Sequence, residues 1–416
     1  NKVGHADEGT ATTFQPWDGS NTNGAFYLTK DWTLTSTITV PQGNSLTLCL
    51  NGHSITLGSQ TQSVVDGSHD VFSVQRRATF TLCDCKDKNG NYGTIGHYNP
   101  TENQGPGVNV SGTFNMYGGK ISQNRVEFYN GNYPGYGGGV LVSNRGTFNM
   151  FGGEITGNTA KSGGGVYVDG AAKKMNVSGD VKIENNWKGG TLNADTGLYG
   201  KGDNGSANNL YLDTGKIVTI DDSDGLSSNA RISITTVDKP KNDKNVQIAS
   251  GAKDGVDYTQ IFTPDEADKG YTVSRTAFDN LNLHQHSWGY TNDGADTIKA
   301  TCTDPTCSSP NGGSVTIKAP AELTYSGEGK PATVTASSDW QGLAASGITI
   351  SYIKTGTYGQ QMLENGKLPT NAGEYTASIT VGEGNKAATA SVKYTIQKAN
   401  PVVTEWPTLS ASVYVN

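Results

Sequence analysis

Gly112-Thr113-Phe114-Asn115-Met116-Tyr117-Gly118-Gly119-Lys120-Ile121 returns 34 residues later as Gly146-Thr147-Phe148-Asn149-Met150-Phe151-Gly152-Gly153-Glu154-Ile155. At the same step backwards stand Thr79-Phe80-Thr81-Leu82-Cys83 and then Ser45-Leu46-Thr47-Leu48-Cys49. Forwards, the step shortens to 27 at Lys174-Met175-Asn176-Val177 and becomes 35 at Asn209-Leu210-Tyr211-Leu212. Leu46, Phe80, Phe114, Phe148, Met175 and Leu210 therefore read as one column. Self-similarity at such a period marks stacked structural units. Each unit leaves its apolar face bare until a neighbour covers it.

Two more strand-like pieces accompany every column member. Gly139-Val140-Leu141-Val142 precedes Phe148 and Glu154-Ile155-Thr156 follows it; the next repeat has Gly165-Val166-Tyr167-Val168 and Lys182-Ile183. Three short strands per repeat, divided by Gly and Asn, predict the coil of a right-handed parallel β-helix, with coils about 4.8 Å apart. Alternation sends Phe114, Met116, Phe148 and Met150 inward and Asn115 and Asn149 outward. Asn124 and Asn158 are also 34 apart, with Asn185 another 27 on. They read as a structural ladder at a corner, since Asn tolerates the left-handed backbone and stacked amides bond to one another. A helical solenoid is disfavoured by 55 glycines and the lack of a 3.6-residue stripe. Trp32 to Ile55 supplies the first coils. Residues 225–283 keep strands such as Arg231-Ile232-Ser233-Ile234 but lose the column, as terminal coils plus a cap would.

Composition narrows the function classes. The 416 residues carry a net charge of −7 with no Lys/Arg-rich block, which argues against nucleic-acid binding. No run approaches the roughly 18 apolar residues of a membrane span. Residues 1–20 lack the layout of a signal peptide, so the chain is expected to begin after a removed signal and to stop short of an anchor.

The paired GTFNM[YF]GG.I and GGGV.V motifs, with Leu48-Cys49-Leu50-Asn51-Gly52-His53-Ser54-Ile55, resemble β-helix surface proteins of Gram-positive, often gut-dwelling bacteria. The resemblance spans roughly residues 25–220. It implies a secreted, cell-surface protein but no particular activity, since this scaffold carries adhesins, lyases and glycosidases alike.

From Ser314 the pattern changes to six or so alternating strands at sandwich spacing, among them Val315-Thr316-Ile317, Ile348-Thr349-Ile350-Ser351-Tyr352 and Tyr375-Thr376-Ala377-Ser378-Ile379. Leu323-Thr324-Tyr325-Ser326-Gly327 and Asn371-Ala372-Gly373-Glu374-Tyr375 resemble the bacterial Ig-like repeats of MBG type over about 85 residues. The resemblance implies a stalk module. The expected organisation is an all-β chain: a β-helix with caps at 1–283, a Cys/His linker module at 284–312, an Ig-like sandwich at 313–398 and the opening of a further repeat at 399–416.

His284, His286, Cys302 and Cys307 offer a tetrahedral zinc set, although a disulfide closing the Cys302–Cys307 loop fits the spacing too. Cys49 and Cys83, one repeat apart, would stack within disulfide reach; with Cys85 the five cysteines leave at least one thiol free. Asp221-Asp222-Ser223-Asp224-Gly225 could take calcium through clustered oxygens or be an acidic turn.

For ligand binding the candidates are Glu127, Phe128, Tyr129, Tyr133 and Tyr136, in the insertion that lengthens one repeat, together with Asp169. Exposed tyrosines give flat apolar faces with a polar tip, suited to sugars or a protein partner, although they also serve as outer-wall packing. Partners would be host or dietary glycans or a surface protein. An enzyme needs paired carboxylates, or a base with a cationic partner; Glu127, Glu154, Asp169, Arg125, Arg145 and Lys161 are the groups at hand. Lys120 and Glu154 share a column and read as a surface ion pair. The leading expectation is a non-catalytic adhesin or glycan-binding head on a stalk; a polysaccharide hydrolase or lyase is the alternative, and a plain spacer the third.

Overall fold

The computed structural model describes residues 13–58, 70–86, 89–98, 105–126, 135–193, 196, 198–221, 225–241, 244–276, 279–303, 307, 311–340, 347–356 and 359–400. The chain is all-β and divides into two compact units, residues 1–286 and 287–416.

A 23-stranded, mostly parallel sheet builds the first unit, consistent with a parallel β-helix. Three ladders run along it. One passes through Ser45–Cys49, Thr79–Cys83, Thr113–Met116, Thr147–Ile155 and Lys174–Ile183 to Val218–Ile220. A second links Ile38–Val40, Phe72–Val74, Val108–Val110, Val140–Val142, Val166–Val168 and Leu210–Leu212. The third joins Trp32–Leu34, Ile55–Leu57, Thr94–His97 and Lys120–Ile121 to the later halves of Thr147–Ile155 and Lys174–Ile183. Antiparallel strands Tyr271–Thr276 and Asn280–Gln285 close the far end against Val246–Ser250.

Phe114 lies opposite Phe148 in register. Their rings stack at 5.1 Å, and Phe80 and Phe72 continue the pile at 5.2 and 4.6 Å. All four are fully buried, so the apolar face of each coil is covered by the coils on either side. Outward, Asn176, Asn149 and Asn115 form an amide chain ending on Thr81.

Leu210 does not belong to the Phe114 column. Met175 pairs with Val218, while Leu210 pairs with Val166, 44 residues before it. Residues 188–208 enlarge that coil, and Leu210-Tyr211-Leu212 has the same inward-outward alternation as any column strand, so the 35-residue step matched by pattern alone.

A second correction concerns Asn185. The corner ladder uses Asn124, Asn158, Asn186 and Asn209. A bulge is the cause: Met150 faces Val177 at an offset of 27, but Gly152 faces Asp180 at 28. Asn185 takes the left-handed corner position (φ 57°), as Gly157 and Gln123 do one coil and two coils earlier. Turning the corner and bonding along the stack thus fall to adjacent residues.

In the second unit, Trp288–Asn292, Thr297–Cys302, Asn311–Lys318 and Thr333–Ala336 form one antiparallel sheet. Gly359–Met362, Ile350–Gly356, Gly373–Val381 and Ala388–Ile396 form another. Both contribute to one core, with Ile298, Val315 and Ile317 from the first and Tyr352, Tyr375 and Ile379 from the second. Strands at 288–302, within the stretch expected as a separate module, pair into the first of these sheets.

Candidate functional site

The corner ladder positions the site. Each ladder asparagine donates its side-chain N–H to the Oδ1 of the next: Asn124 to Asn158 and Asn158 to Asn186 at 2.9 Å, Asn186 to Asn209 at 3.1 Å. Backbone N–H groups of Asn124, Asn158 and Asn186 donate to the same oxygens. Such a chain has an acceptor left over at one end and two donors at the other. His97 Nδ1 meets the free Asn124 Oδ1 at 2.7 Å. At the far end the Asp265 carboxylate accepts from Asn209 Nδ2 (2.6 Å) and from its backbone N–H (2.8 Å). Thr235 Oγ1 adds a third donor at 2.7 Å. Burial raises the pKa of Asp265, and these hydrogen bonds only partly offset it.

Beside this end of the ladder, the second parallel ladder points Tyr167 and Tyr211 outward at directly paired positions. Their rings stack at 5.3 Å, and Tyr136 stacks on the other face of the pile, 4.2 Å from Tyr167. Tyr167 is buried between its neighbours, and its hydroxyl donates to Asp213 at 3.4 Å. Thr235, a small side chain, follows Tyr211 in the same column. A cavity of about 400 Å³ opens there, lined by Tyr211, Thr235 and Asp265 on one side and by Lys161, Ser162 and Lys188 among others.

Charge is concentrated on the cavity wall, which also carries Lys239, Glu266, Asp268 and Lys269. Glu266 is ion-paired to both Lys239 and Lys269. Burial alone would raise its pKa, but the two ammonium groups outweigh that and hold it below the ordinary value. Lys188 belongs to a small outer sheet in which Thr159 faces Trp187, and Lys161 follows the Thr159–Ala160 strand of that sheet. The cavity therefore combines an aromatic side, hydroxyl and amide groups, and paired charges.

Of the residues expected from sequence, Tyr136 joins the aromatic pile and Lys161 reaches the cavity. Glu127, Phe128, Tyr129 and Tyr133 lie outside the described residues, as do residues 222–224 of the acidic stretch considered for calcium. Asp169 accepts the backbone N–H of Ala171 at 2.7 Å, a turn-forming role. Glu154 faces Lys120 in register, but its ion pair runs to Lys182 at 3.4 Å. Tyr167, Tyr211, Asp265 and Glu266 are functional candidates that sequence reading passes over. Val166-Tyr167-Val168 and Leu210-Tyr211-Leu212 would have disclosed the tyrosine pair once matched to each other.

His284 is buried with Nδ1 2.9 Å from Asn245 Oδ1, and His286 Nε2 lies 3.3 Å from Thr272 Oγ1. His284, His286, Cys302 and Cys307 form a group that could hold a metal ion, and neither Cys302 nor Cys307 is in a disulfide. Cys49 and Cys83 are paired in register as expected, and both are free thiols. The Cys49 sulfur lies 3.5 Å from that of Cys85. Contact with the Cys83 thiol above all, and with Cys85, lowers the Cys49 pKa to about 6 against the opposing effect of burial.

Among the described residues no helix is long and apolar enough to cross a membrane. No family model, no curated protein and no solved structure matches the chain.

Proposed function

We propose that the parallel stack is the non-catalytic binding head of a secreted bacterial surface protein, a right-handed β-helix that holds a carbohydrate chain. The observation that carries this reading is the tyrosine pile ending in a polar cavity. Tyr211 has one face against Tyr167 and lines open space beside the small Thr235. An aromatic face flanked by hydroxyls and charged groups suits a sugar ring, whose C–H surface is apolar and whose rim is polar.

The hydrolase reading draws support from the opposed pKa directions of Asp265 and Glu266, as an acid and a base would have. Against it, both carboxylates are engaged: Asp265 with Asn209 and Thr235, Glu266 with two lysines. A catalytic carboxylate must reach its substrate's proton or anomeric carbon. Binding is the better-supported reading.

The second unit fits a stalk module of the Ig-like, MBG-type class. Tyr375 donates its hydroxyl to the carbonyl of Asn371, four residues upstream, like the tyrosine corner of such sandwiches. For the His/Cys group we propose zinc, a structural ion held by two nitrogens and two thiolates. Asn245 at His284 Nδ1 would leave Nε2 for the metal.

Incubation of the protein with plant and host polysaccharides tests the head. Retention on polysaccharide without release of soluble sugar, lost on Tyr211→Ala, is the expected result. Release of oligosaccharide products would transfer the site to the hydrolase or lyase class, and absence of both retention and release would leave a spacer.

A further inference from the structure

We infer that Cys49 and Cys85 are a reactive thiol pair, a modification site that takes up a small-molecule disulfide at Cys85 and converts it into a Cys49–Cys85 bond between successive coils. None of these residues lines the cavity beside Tyr211, so the thiol site and the glycan-binding reading stand independently of each other.

Register alone would choose another partner for Cys49. Cys49 and Cys83 end paired strands directly opposite each other. Both are buried, and the Cys83 thiol donates to the Leu48 carbonyl at 3.6 Å. Cys85, two residues on, is exposed, and its sulfur lies 3.5 Å from that of Cys49, 36 residues away in the chain. The backbone around it is built to hold that approach. Asp84 accepts the N–H of Gly52 at 2.8 Å, of Lys86 at 3.1 Å and of Gly93 at 2.5 Å. One carboxylate thus fixes both chain neighbours of Cys85 to the turn that follows Cys49. A reagent in solution meets Cys85 first, because Cys49 is only 7% exposed.

The groups that face Cys49 are Tyr27 on the coil before it and Cys83, Asp84 and Cys85 on the coil after. Contact with the Cys83 thiol, and then with Cys85, outweighs burial and Asp84 and brings Cys49 to about 6. Burial, and then the contact with Cys49, push Cys85 up to about 11. At neutral pH the pair therefore holds one proton, on Cys85. That proton passes to Cys49, and the Cys85 sulfur attacks a small disulfide R–S–S–R, forming Cys85–S–S–R and expelling R–S⁻. The departing thiolate takes the proton from Cys49. The Cys49 thiolate then attacks the Cys85 sulfur and expels the second R–S⁻. Two protein thiols are oxidised and one disulfide is reduced, to one thiol and one thiolate. Contact with Cys49, and burial, raise the Cys83 pKa, so Cys83 keeps its proton throughout.

The reduced full chain is incubated with oxidised glutathione, quenched with acid and mapped by peptide mass spectrometry. A Cys49–Cys85 link is expected in the wild type and in Cys83→Ser, and a persistent glutathione adduct on Cys85 in Cys49→Ser. Link formation should be about tenfold slower at about pH 5 than at about pH 7, because a thiol titrating near 6 falls from about nine-tenths to about one-tenth thiolate. The wild-type map alone separates the two links, so the test does not depend on the variants folding. A Cys49–Cys83 link overturns the inference, as do separate adducts on Cys49 and Cys85 that never resolve into a link. A folded wild type with neither link nor adduct at these residues, or a link that forms equally fast at both pH values, also overturns it.

Discussion

Asp265 illustrates what a single side chain does at the end of a repeating system. Ladder asparagines both donate and accept, so the last one has two N–H groups that only an acceptor-rich residue can satisfy. The carboxylate serves, at the cost of being buried with a pKa above its ordinary value of 3.8. The folded state therefore holds a proton more tightly than the unfolded chain. Stability from this group rises as pH falls from the folded pKa towards 3.8, and the penalty is fully present above the folded value. Urea midpoints of the wild type and Asp265→Asn, compared between about pH 7 and about pH 4, should show the wild type gaining on the variant as pH falls. A difference that is flat or of opposite sign would contradict this account. Cys49 offers a second test: ultraviolet thiolate absorbance should show a titration step near pH 6 that Cys49→Ser removes. A wild type without that step would contradict the thiol contacts described.

Elements show why some of this was legible in sequence and some was not. Where coils keep a constant length of 34 residues, pattern and register coincide, and the stacking of Phe114 on Phe148 follows from the repeat alone. Replacing Phe114 by Ala removes a ring enclosed by rings above and below, and should cost about 3–5 kcal/mol in chemical unfolding. A loss under about 1 kcal/mol would mean the ring is not buried in that pile. Register becomes illegible where coil length varies. One extra residue between Val177 and Asp180 shifted the ladder from Asn185 to Asn186, and the enlarged coil before Leu210 hid the pairing of Tyr167 with Tyr211. Neither leaves a local signal, since a bulge changes spacing and not residue type. Asn158 tests the ladder as an element. Asn158→Leu keeps the volume but strands the donors of Asn124, and should cost about 1–3 kcal/mol or more, whereas an exposed-site substitution costs far less.

At the scale of the whole molecule, function depends on distant parts of the sequence meeting. Tyr136 was found from the composition of its loop, but the cavity wall is completed by Lys239, Asp265 and Glu266, which follow in a region where the repeat is no longer visible. Sequence therefore disclosed the parallel stack and one end of the site, and missed the end where the cavity opens. The His/Cys group was legible because its residues lie close together in the chain. Metal analysis of untagged protein should find about one zinc per chain, lost on Cys302→Ser; a stoichiometry near zero in freshly purified, reduced protein would remove the metal.

The register that brings Tyr211 against Tyr167 locates the proposed site, and paired cysteines report on it directly. Under mild oxidation, Tyr167→Cys/Tyr211→Cys should yield a disulfide-linked peptide pair by mass spectrometry, because these positions face each other across adjacent strands. Asn176→Cys/Tyr211→Cys, which the 35-residue step would align, should not. A link in the second protein and none in the first would contradict the stacking on which the site is built.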